Sequence, residues 1–525
     1  MKRCAKCVAF GLLLVSALGA TVIKVPSEQP TIQAGLNAAN YGDTVLVAPG
    51  RYKERIVWPA RDGIRLQSEL GRDTTIIEAD TGDYGISLSG GQTRATEIRG
   101  FTVTNSRQAG IYSHMSSPSV LDNRLTRCGW HGLYLIYADN VLVKGNEVCG
   151  NVQDSIANYQ EGAGIFVSAS NNSSHPEICY NYVHHDSLGG AYYSMGAGIY
   201  CEASALVYQN WVDSNYVRGY SWLGYGYGGG ICLAGMNTHP LVFSNLITRN
   251  KVDTWYKFGG GIYVSFSPTL VINNTVVGNI CTSGGYPEGG GLYNEFCTTY
   301  VRNNIIASNT AGSGSGVYNA DYGSSAIVSG HNDYYGNSLY NCAMGPGDIT
   351  QNPLFVSGTH GGFYLSQTAA GQPGNSPCLD AGDTLLMTAP LNLDSLLHAW
   401  TTRTDSVPDA GVLDIGYHYP LEQYPSVLHD NQSLPLQGFE LRVAPNPFLH
   451  TLPLSVSYSL PVASDVSLRL YDITGKLVST LASGNHRAGS YSCSLLTGQY
   501  SLARGIYVLE LEACGLRLGR KLVIE

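Results

Sequence analysis

The stretch that decides the fold is GIYVSFSPTLVINNTVVGNI, residues 261–280. Its apolar residues fall into three short runs, at 261–264, 270–272 and 275–277. Strands this short cannot bury an apolar face alone, but copies stacked on one another enclose a continuous apolar column. The stretch therefore predicts one coil of a solenoid built from three parallel sheets.

The same unit recurs from about residue 85 to residue 335. Each copy opens with a Gly, an aliphatic residue and usually an aromatic one, at Gly110, Gly132, Gly164, Gly198, Gly230, Gly261, Gly291 and Gly316. An Asn follows at Asn123, Asn146, Asn181, Asn210, Asn245, Asn274, Asn304 and Asn332, and a second Asn or Asp comes five residues later in most copies. A buried amide needs hydrogen-bond partners, and an identical neighbour supplies one at every level, so we predict asparagine ladders.

These residues resemble the pectin-lyase-like right-handed parallel β-helix family over roughly residues 22–420. Residues 27–39 read as the N-terminal capping helix with which that family covers the open end of the column, where a strand edge would otherwise be exposed. The resemblance implies an all-β fold, a right-handed three-sheet solenoid with a helical cap. It also places the family's substrate cleft at the corner where the loops project.

The C-terminal part has a different pattern. Residues 468–478 and 505–511 alternate apolar and polar side chains and are separated by turns, which predicts a small antiparallel β-sandwich. It resembles both the C-terminal sorting domain of type IX secretion cargo and the Ig-like module of the flagellar hook-capping type. The resemblance implies sorting or anchoring through the secretion machinery or the cell envelope, and a passive spacer is the alternative.

The N-terminus has the layout of a secretory signal peptide, with Lys2, Arg3 and Lys6 before an apolar run at 8–18. No later apolar stretch is long enough for a membrane span, so we expect a secreted or cell-surface protein. The predicted division is a signal peptide at 1–20, a capped β-helix at 21–419, a linker at 420–437 and an Ig-like sandwich at 438–525.

The charge limits the class of partner. The chain carries a formal net charge of −9, and only 13% of its residues are charged. Nucleic-acid binding requires clustered Lys and Arg, so a nucleic-acid partner is not predicted. Direct binding of an acidic polysaccharide is also disfavoured unless a local basic patch or bridging Ca²⁺ offsets the repulsion.

The cysteines do not form a recognisable motif. Of the 13 cysteines, none beyond the signal segment forms a Cys-x-x-Cys pair, so a zinc or redox motif of that kind is not predicted. The pairs Cys342–Cys378 and Cys493–Cys514 are compatible with disulfides, although sequence does not give their distances.

Aromatic residues, including Tyr159 and Tyr286, collect in the loops between the second Asn and the next Gly. Because successive coils rise only about 4.8 Å, loops at one corner stack into a single wall. Sugar rings present apolar faces that suit aromatic side chains with polar tips, so we predict a groove for extended polysaccharide. The predicted substrate-binding residues are Tyr192, Tyr193, Tyr200, Trp222, Tyr225, Tyr227, Trp255, Tyr256, Tyr263 and Tyr293. In the alternative interpretation these side chains only pack loop on loop.

Paired carboxyl groups are sparse near this wall. A glycosidase needs two carboxyls about 5–10 Å apart. The equivalent pairs Glu202–Glu295 and Glu161–Glu288 are three and four coils apart, hence about 14 and 19 Å. Asp186 and Asp213, one coil apart, fit the requirement, although Asp186 also holds a ladder position and so has a structural interpretation.

Two further candidates have other chemistry. His184, His185 and Asp186 form the one His/carboxylate cluster of the sequence and suggest a general base or a metal site, with exposed turn histidines as the alternative. Arg218 matches the cationic base that the resemblance to pectate lyases implies. The candidate catalytic residues are therefore Asp186, Asp213, Arg218 and His185.

The catalytic signatures of polygalacturonases, pectate lyases and pectin methylesterases are absent from the chain. The resemblance thus implies a fold and a ligand class but no catalytic set, and the sequence does not decide whether the protein is an enzyme. Three functions follow: polysaccharide binding through the aromatic groove, a polysaccharide lyase or glycoside hydrolase, and a non-catalytic surface or adhesion protein.

Overall fold

The computed structural model describes residues 20–80, 82–154, 158–190, 192–219, 223–383, 393–421, 440–444, 454–460, 464–472, 476–487, 489–495, 502–513 and 516–524. The chain divides into two compact units, residues 1–429 and 430–525. Nearly all of the predicted signal peptide and linker lies outside the described residues, so their boundaries stay predictions.

Three long parallel sheets run through the first unit, named here in the order in which a coil visits them. Sheet 1 holds the Gly-Ile-Tyr strands, Ile56–Val57, Tyr84–Leu88, Ala109–His114, His131–Ile136, Ile165–Ser168, Ile199–Glu202, Ile231–Leu233, Ile262–Ser265, Leu292–Glu295, Val317–Asn319 and Leu339–Tyr340. Sheet 2 holds Val22–Val25, Thr44–Val47, Arg65–Ser68, Glu97–Arg99, Ser119–Leu121, Leu142–Lys144, Glu177–Cys179, Leu206–Tyr208, Leu241–Phe243, Thr269–Ile272, Thr298–Arg302 and Ala326–Gly330. Sheet 3 holds Gly50–Tyr52, Thr75–Glu78, Thr102–Thr104, Arg124–Thr126, Glu147–Cys149, Tyr182–His184, Trp211–Asp213, Leu246–Thr248, Thr275–Val277 and Ile305–Ala307. This is the predicted parallel β-helix.

The inserted loops form two additional parallel sheets of five strands each, which the three-sheet prediction did not include. Sheet 4 holds Val152–Asp154, Ser187–Gly189, Tyr216–Arg218, Lys251–Asp253 and Ile280–Cys281. Sheet 5 holds Tyr159–Glu161, Tyr193–Met195, Tyr225–Tyr227, Tyr256–Phe258 and Tyr286–Glu288. The loops therefore stack in register, coil on coil, because each loop strand bonds to the equivalent strand of the next coil.

Both predicted asparagine ladders are present. In the ladder between sheets 2 and 3, the Nδ2 of Asn245 donates to Oδ1 of Asn274 at 2.9 Å. In the ladder between sheets 3 and 4, the Nδ2 of Asn250 donates to Oδ1 of Asn279 at 2.9 Å. Buried polar groups are satisfied in this way by the neighbouring coil, as expected for an interior amide.

The opening Gly of the repeat stands where the coils approach closely. A Cβ added at Gly261 would lie 2.6 Å from the carbonyl oxygen of Gly291 and 3.1 Å from the amide of Asn279. Any other residue would therefore push the coils apart. The aliphatic residue that follows, such as Ile262, is fully buried in the central column.

A short helix covers the N-terminal end of the column. It spans Ile32–Ala38, its N-cap Thr31 accepts a hydrogen bond from the backbone of Ala34, and Ile32 and Leu36 are buried. This confirms the predicted cap, which hides an apolar end surface. Beyond the last coils lie the antiparallel pair Phe355–Gly358 and Gly361–Leu365, the 3₁₀ turn Thr368–Ala370 and the helix Leu393–Leu397.

The second unit consists of antiparallel strands around its own apolar core. One sheet holds Glu440–Ala444, Leu454–Leu460 and Gly489–Leu495, and the other holds Ser464–Asp472, Leu477–His486, Gly505–Ala513 and Leu516–Ile524. Alternate residues of these strands, such as Leu468 and Leu470, are buried. The predicted antiparallel sandwich is confirmed.

The suggested disulfide Cys342–Cys378 is wrong, because both thiols are free. The Sγ of Cys378 lies 3.4 Å from Oδ2 of Asp333, which gives the buried thiol a polar partner. Cys514 lies outside the described residues, so the pair Cys493–Cys514 stays a prediction.

Candidate functional site

A row of five tyrosines lies along sheet 5, one at the start of each strand, and is called here the tyrosine ladder: Tyr159, Tyr193, Tyr225, Tyr256 and Tyr286. Successive ring centroids are 4.9, 5.2, 4.3 and 5.0 Å apart, and successive ring planes differ by 7–28°. The rings stack face to face because the register of the sheet repeats the same position in every coil. The ladder rings therefore cover one another's faces, and Tyr159 and Tyr286 at its two ends are exposed.

Two exposed aromatic side chains, Tyr192 and Trp255, directly precede ladder members in the sequence and flank the ladder. The ring of Tyr192 meets that of Tyr193 at an interplanar angle of 80°, and Tyr192 and Trp255 are each 41% exposed. Trp222 lies outside the described residues. Tyr193, Tyr225 and Tyr256 are ladder members, so the structure brings five of the ten predicted binding residues onto one surface.

The other predicted aromatic residues lie deeper, in the concave corner where sheet 5 meets sheet 1. Tyr200, Tyr263 and Tyr293 are buried there. The ring of Tyr227 packs against that of Tyr263 at 4.8 Å, and Phe258 packs against Tyr293 at 4.9 Å. The Gly-Ile-Tyr aromatics thus form the floor of the corner, and the ladder forms its exposed wall.

One end of this corner carries a pair of carboxyl groups, Glu161 and Glu202. Glu161 ends a sheet 5 strand, and Glu202 ends the sheet 1 strand of the next coil, where it pairs with Ser168. Burial first, and then the charge of Glu202, raise the pKa of Glu161 to about 7. Glu161 is therefore partly protonated at neutral pH, which is the state that a general acid requires.

The opposite end carries Glu288 and Glu295. Glu295 accepts hydrogen bonds from the hydroxyls of Tyr263 and Ser265, the latter at 3.1 Å. Burial raises the pKa of both carboxyls. Because Glu295 is already bound by buried hydroxyls, it anchors the aromatic floor.

The structure does not bring the four predicted catalytic residues together in one site. Asp186 is buried in the ladder between sheets 3 and 4, where it accepts from Asn151 at 2.9 Å. Asp213 is bound by Nε and Nη2 of Arg249, at 2.8 and 2.7 Å. Asp213 thus takes part in an ion pair on sheet 3, and the two carboxylates have separate structural partners.

Arg218 and His185 have local partners. Arg218, on sheet 4, pairs with Asp154 through Nη2 at 2.7 Å. His185 stands at a left-handed turn with φ 56°, and its Nδ1 lies 2.8 Å from Nδ1 of His184. The adjacent Asp186 is buried in the ladder, so the exposed His185 meets solvent without it.

Sequence reasoning missed two groupings. Glu161 and Glu202 interact electrostatically although they stand on strands of different sheets, Tyr159–Glu161 and Ile199–Glu202, a relation that no fixed spacing revealed. Glu147, Cys149 and His184 also come together on sheet 3, with one ligand atom of each within 4.8 Å of the others. Counting from the ladder would have found the second group, since Cys149 and His184 each follow a ladder Asn by three residues.

Comparison with family models agrees with this architecture. Residues 71–245 match the right handed beta helix region, and residues 442–525 match the secretion system C-terminal sorting domain. The chain carries a right-handed β-helix and a secretion sorting domain. The sorting domain makes the protein a secreted or cell-surface protein. Among the described residues, no helix has the length and apolarity required to cross a bilayer.

No curated protein matches the chain. Similar solved structures include the PL6 family alginate lyase AlyGC, at 11% identity over 70% of this chain with a TM-score of 0.35. The A-module of the Azotobacter vinelandii mannuronan C-5 epimerase AlgE6 gives 15% identity, 61% of this chain, 92% of its own and a TM-score of 0.37. The pectate lyase Pel9A gives 16% identity, 75% and 96% coverage and a TM-score of 0.39. The chain spans 58% of the length of the alginate lyase.

Proposed function

We propose that this secreted or cell-surface β-helix protein binds an extended polysaccharide along the tyrosine ladder. The observation that carries the proposal is the row of five exposed or half-exposed rings, which repeats once per coil along the helix axis. Phenolic hydroxyls both donate and accept hydrogen bonds, so the row offers a polar contact at every coil to a hydroxyl-rich polymer.

Tyr192 and Trp255 supply the open aromatic faces that the ladder lacks. Ladder rings cover one another's faces, whereas the apolar face of a sugar stacks on an open aromatic face. Both side chains are exposed beside the ladder, and the ring of Tyr192 is turned away from the ladder planes. We therefore assign the sugar-stacking contacts to these two residues and the hydrogen-bonding contacts to the ladder.

The test is the affinity of the full chain for a panel of neutral and acidic plant and algal polysaccharides, measured with and without Ca²⁺. Tyr159→Ala and Tyr286→Ala truncate the two ends of the ladder, where the side chains are 59% and 53% exposed. Each loss should weaken binding roughly 2–10-fold, since one hydrogen bond contributes about 0.5–1.5 kcal/mol.

The matched control is Tyr41→Ala, which removes a tyrosine that is 73% exposed but lies in the first coil, outside sheet 5. It should bind like the unaltered chain. If the ladder variants also bind every polysaccharide as well as the unaltered chain does, the ladder is not the binding surface.

A second candidate function is polysaccharide cleavage, favoured by the Glu161–Glu202 pair. A carboxyl whose pKa lies near 7 can protonate a glycosidic oxygen, while a second carboxylate assists. Incubation with the same panel, followed by mass spectrometry, separates the chemistries: a hydrated new end indicates hydrolysis and an unsaturated end indicates elimination. Glu161→Gln should abolish product release, whereas Glu288→Gln at the opposite end should retain it. Absence of products from every substrate would leave binding or adhesion as the function.

A further inference from the structure

Three side chains on the outer face of sheet 3 place a thiol, an imidazole and a carboxylate together. Glu147 and Cys149 stand two residues apart on one strand, and His184 pairs with Cys149 on the strand of the next coil. The Nε2 of His184 lies 3.6 Å from Oε1 of Glu147, and the three ligand atoms lie within 4.8 Å of one another. It is the one such group that the described part of the chain contains.

The imidazole nitrogen that faces this group has no hydrogen-bond partner. Nε2 of His184 is buried, and no donor or acceptor among the described residues satisfies it. The other ring nitrogen lies 2.8 Å from Nδ1 of His185. When His184 donates through Nδ1 to His185, its Nε2 carries the free lone pair and lies within 4.8 Å of the thiol sulfur and of a carboxylate oxygen, as a metal-ligating histidine requires.

The surroundings hold each ligand in place. The ring of Tyr182 stacks on that of His184 with centroids 3.9 Å apart. Arg124 donates through Nε to Oε2 of Glu147 at 2.7 Å, which leaves Oε1 turned toward the imidazole.

We propose that Glu147, Cys149 and His184 bind a single divalent transition-metal ion of the zinc class. Thiolate, imidazole and carboxylate together suit such borderline-soft ions, whereas Ca²⁺ takes oxygen ligands. On binding, Sγ of Cys149 forms the bond to the metal and its proton passes to the buffer. Three protein ligands leave a fourth position for water, and the ion links two successive coils.

The experiment is a titration of the full, chelator-treated chain with Co²⁺, followed by absorption spectroscopy, and with Zn²⁺ against a chromophoric chelator. We expect one ion per chain and a near-ultraviolet thiolate-to-cobalt charge-transfer band. Cys149→Ser should remove that band. Both Cys149→Ser and His184→Gln should lower the affinity for zinc by about tenfold or more. Cys342→Ser, which removes a half-buried thiol outside the cluster, should leave band and affinity unchanged.

Thermal unfolding of each metal-free variant establishes that it folds, so loss of binding is not loss of structure. The ion should also raise the Tm of the unaltered chain and not that of Cys149→Ser. Absence of the charge-transfer band, or equal zinc affinity in the unaltered chain and Cys149→Ser, overturns the proposal; the Glu147–His184 contact is then an ordinary ion pair. Neither result bears on polysaccharide binding, which involves sheet 5.

Discussion

The side-chain amide of Asn151 donates to Oδ1 of Asp186 at 2.9 Å, so an acidic residue occupies one rung of the ladder between sheets 3 and 4. At an ordinary rung such as Asn215, Nδ2 donates to Oδ1 of Asn250 and to the carbonyl of Val183. The corresponding atom of Asp186, Oδ2, is buried and has no hydrogen-bond partner among the described residues. A neutral acid supplies the missing proton, and burial raises the pKa of Asp186 well above its usual range.

We predict that Asp186→Asn stabilises the protein by about 1–3 kcal/mol at neutral pH, the usual cost of an unsatisfied buried group. The folded-state pKa of Asp186 lies above its unfolded value of about 3.9. In the pH interval between these two pKa values the folded state holds the proton more tightly than the unfolded chain does. Stability of the unaltered chain therefore falls as pH rises through the interval. The advantage of the variant, measured as a difference in Tm, should be small near pH 4 and grow with pH.

The reciprocal change, Asn215→Asp, provides the control because it places a second acid on the same ladder. It should destabilise the protein, increasingly so at higher pH. An Asp186→Asn variant that melts below the unaltered chain at neutral pH would show that the ladder is satisfied as it stands.

Replacement of an ordinary ladder Asn should destabilise the protein much more. Asn250 donates to Val212 and Asn279 and accepts from the backbone and the amide of Asn215. Asn250→Ala leaves these buried groups unpaired and should lower the free energy of unfolding by roughly 2–4 kcal/mol, measured by denaturant titration. The exposed Asn172→Ala should stay within about 0.5 kcal/mol of the unaltered chain. Equal stability of both variants would contradict a structural role for the ladder.

The main solenoid was predictable because its constraints lie within one repeat. Gly261 and Asn274 are required by close backbone approach and by a buried amide, and such requirements recur at fixed positions in the sequence. Sheets 4 and 5 were not predictable as sheets, since their strands lie in inserted loops of unequal length in neighbouring coils and do not recur at a fixed spacing.

The candidate site was predictable only in part, because its composition can be seen in the sequence but its geometry depends on contacts between coils and sheets. Aromatic loop residues such as Tyr225 and Tyr256 were recognisable as one surface, but the face-to-face stacking depends on the register of sheet 5. The burial of Tyr263 beneath Tyr227 depends on the angle between sheets 5 and 1, which no local pattern encodes. The pairing of Glu161 with Glu202 depends on that same corner.

Glu161 should make stability depend on pH. Its folded-state pKa of about 7 exceeds the value of about 4.3 expected in the unfolded chain, so stability should fall as pH rises from about 4 to 7. Glu161→Gln removes that dependence and should gain roughly 3–4 kcal/mol relative to the unaltered chain at pH 8. Differential scanning calorimetry over this pH range measures the difference.

Glu202→Gln gives the internal control. The charge of Glu202 is the second cause of the raised pKa of Glu161, after burial. Its removal should shift the pH-dependent interval downward without abolishing it. If Glu161→Gln shows the same pH profile as the unaltered chain, Glu161 is ionised at neutral pH and is unsuited to proton donation.

The sorting domain should be necessary for export and dispensable for the fold of the β-helix. The two units have separate apolar cores, built around residues such as Ile262 in the first and Leu468 in the second. Truncation after residue 429 should therefore leave the β-helix folded but retained inside the native host's cell envelope. Fractionation of cells and medium, with circular dichroism of the truncated chain, measures both properties.

A gain-of-function experiment joins residues 430–525 to a soluble reporter. The reporter also carries the predicted signal peptide, residues 1–20, at its N-terminus. If the domain is the sorting signal, the reporter should reach the cell surface or the medium, and the reporter without it should not. Because the match to the sorting-domain model covers residues 442–525, the C-terminal sorting signal is expected to lie entirely within the added unit. Export of the truncated β-helix at the level of the full chain would instead make this unit a spacer.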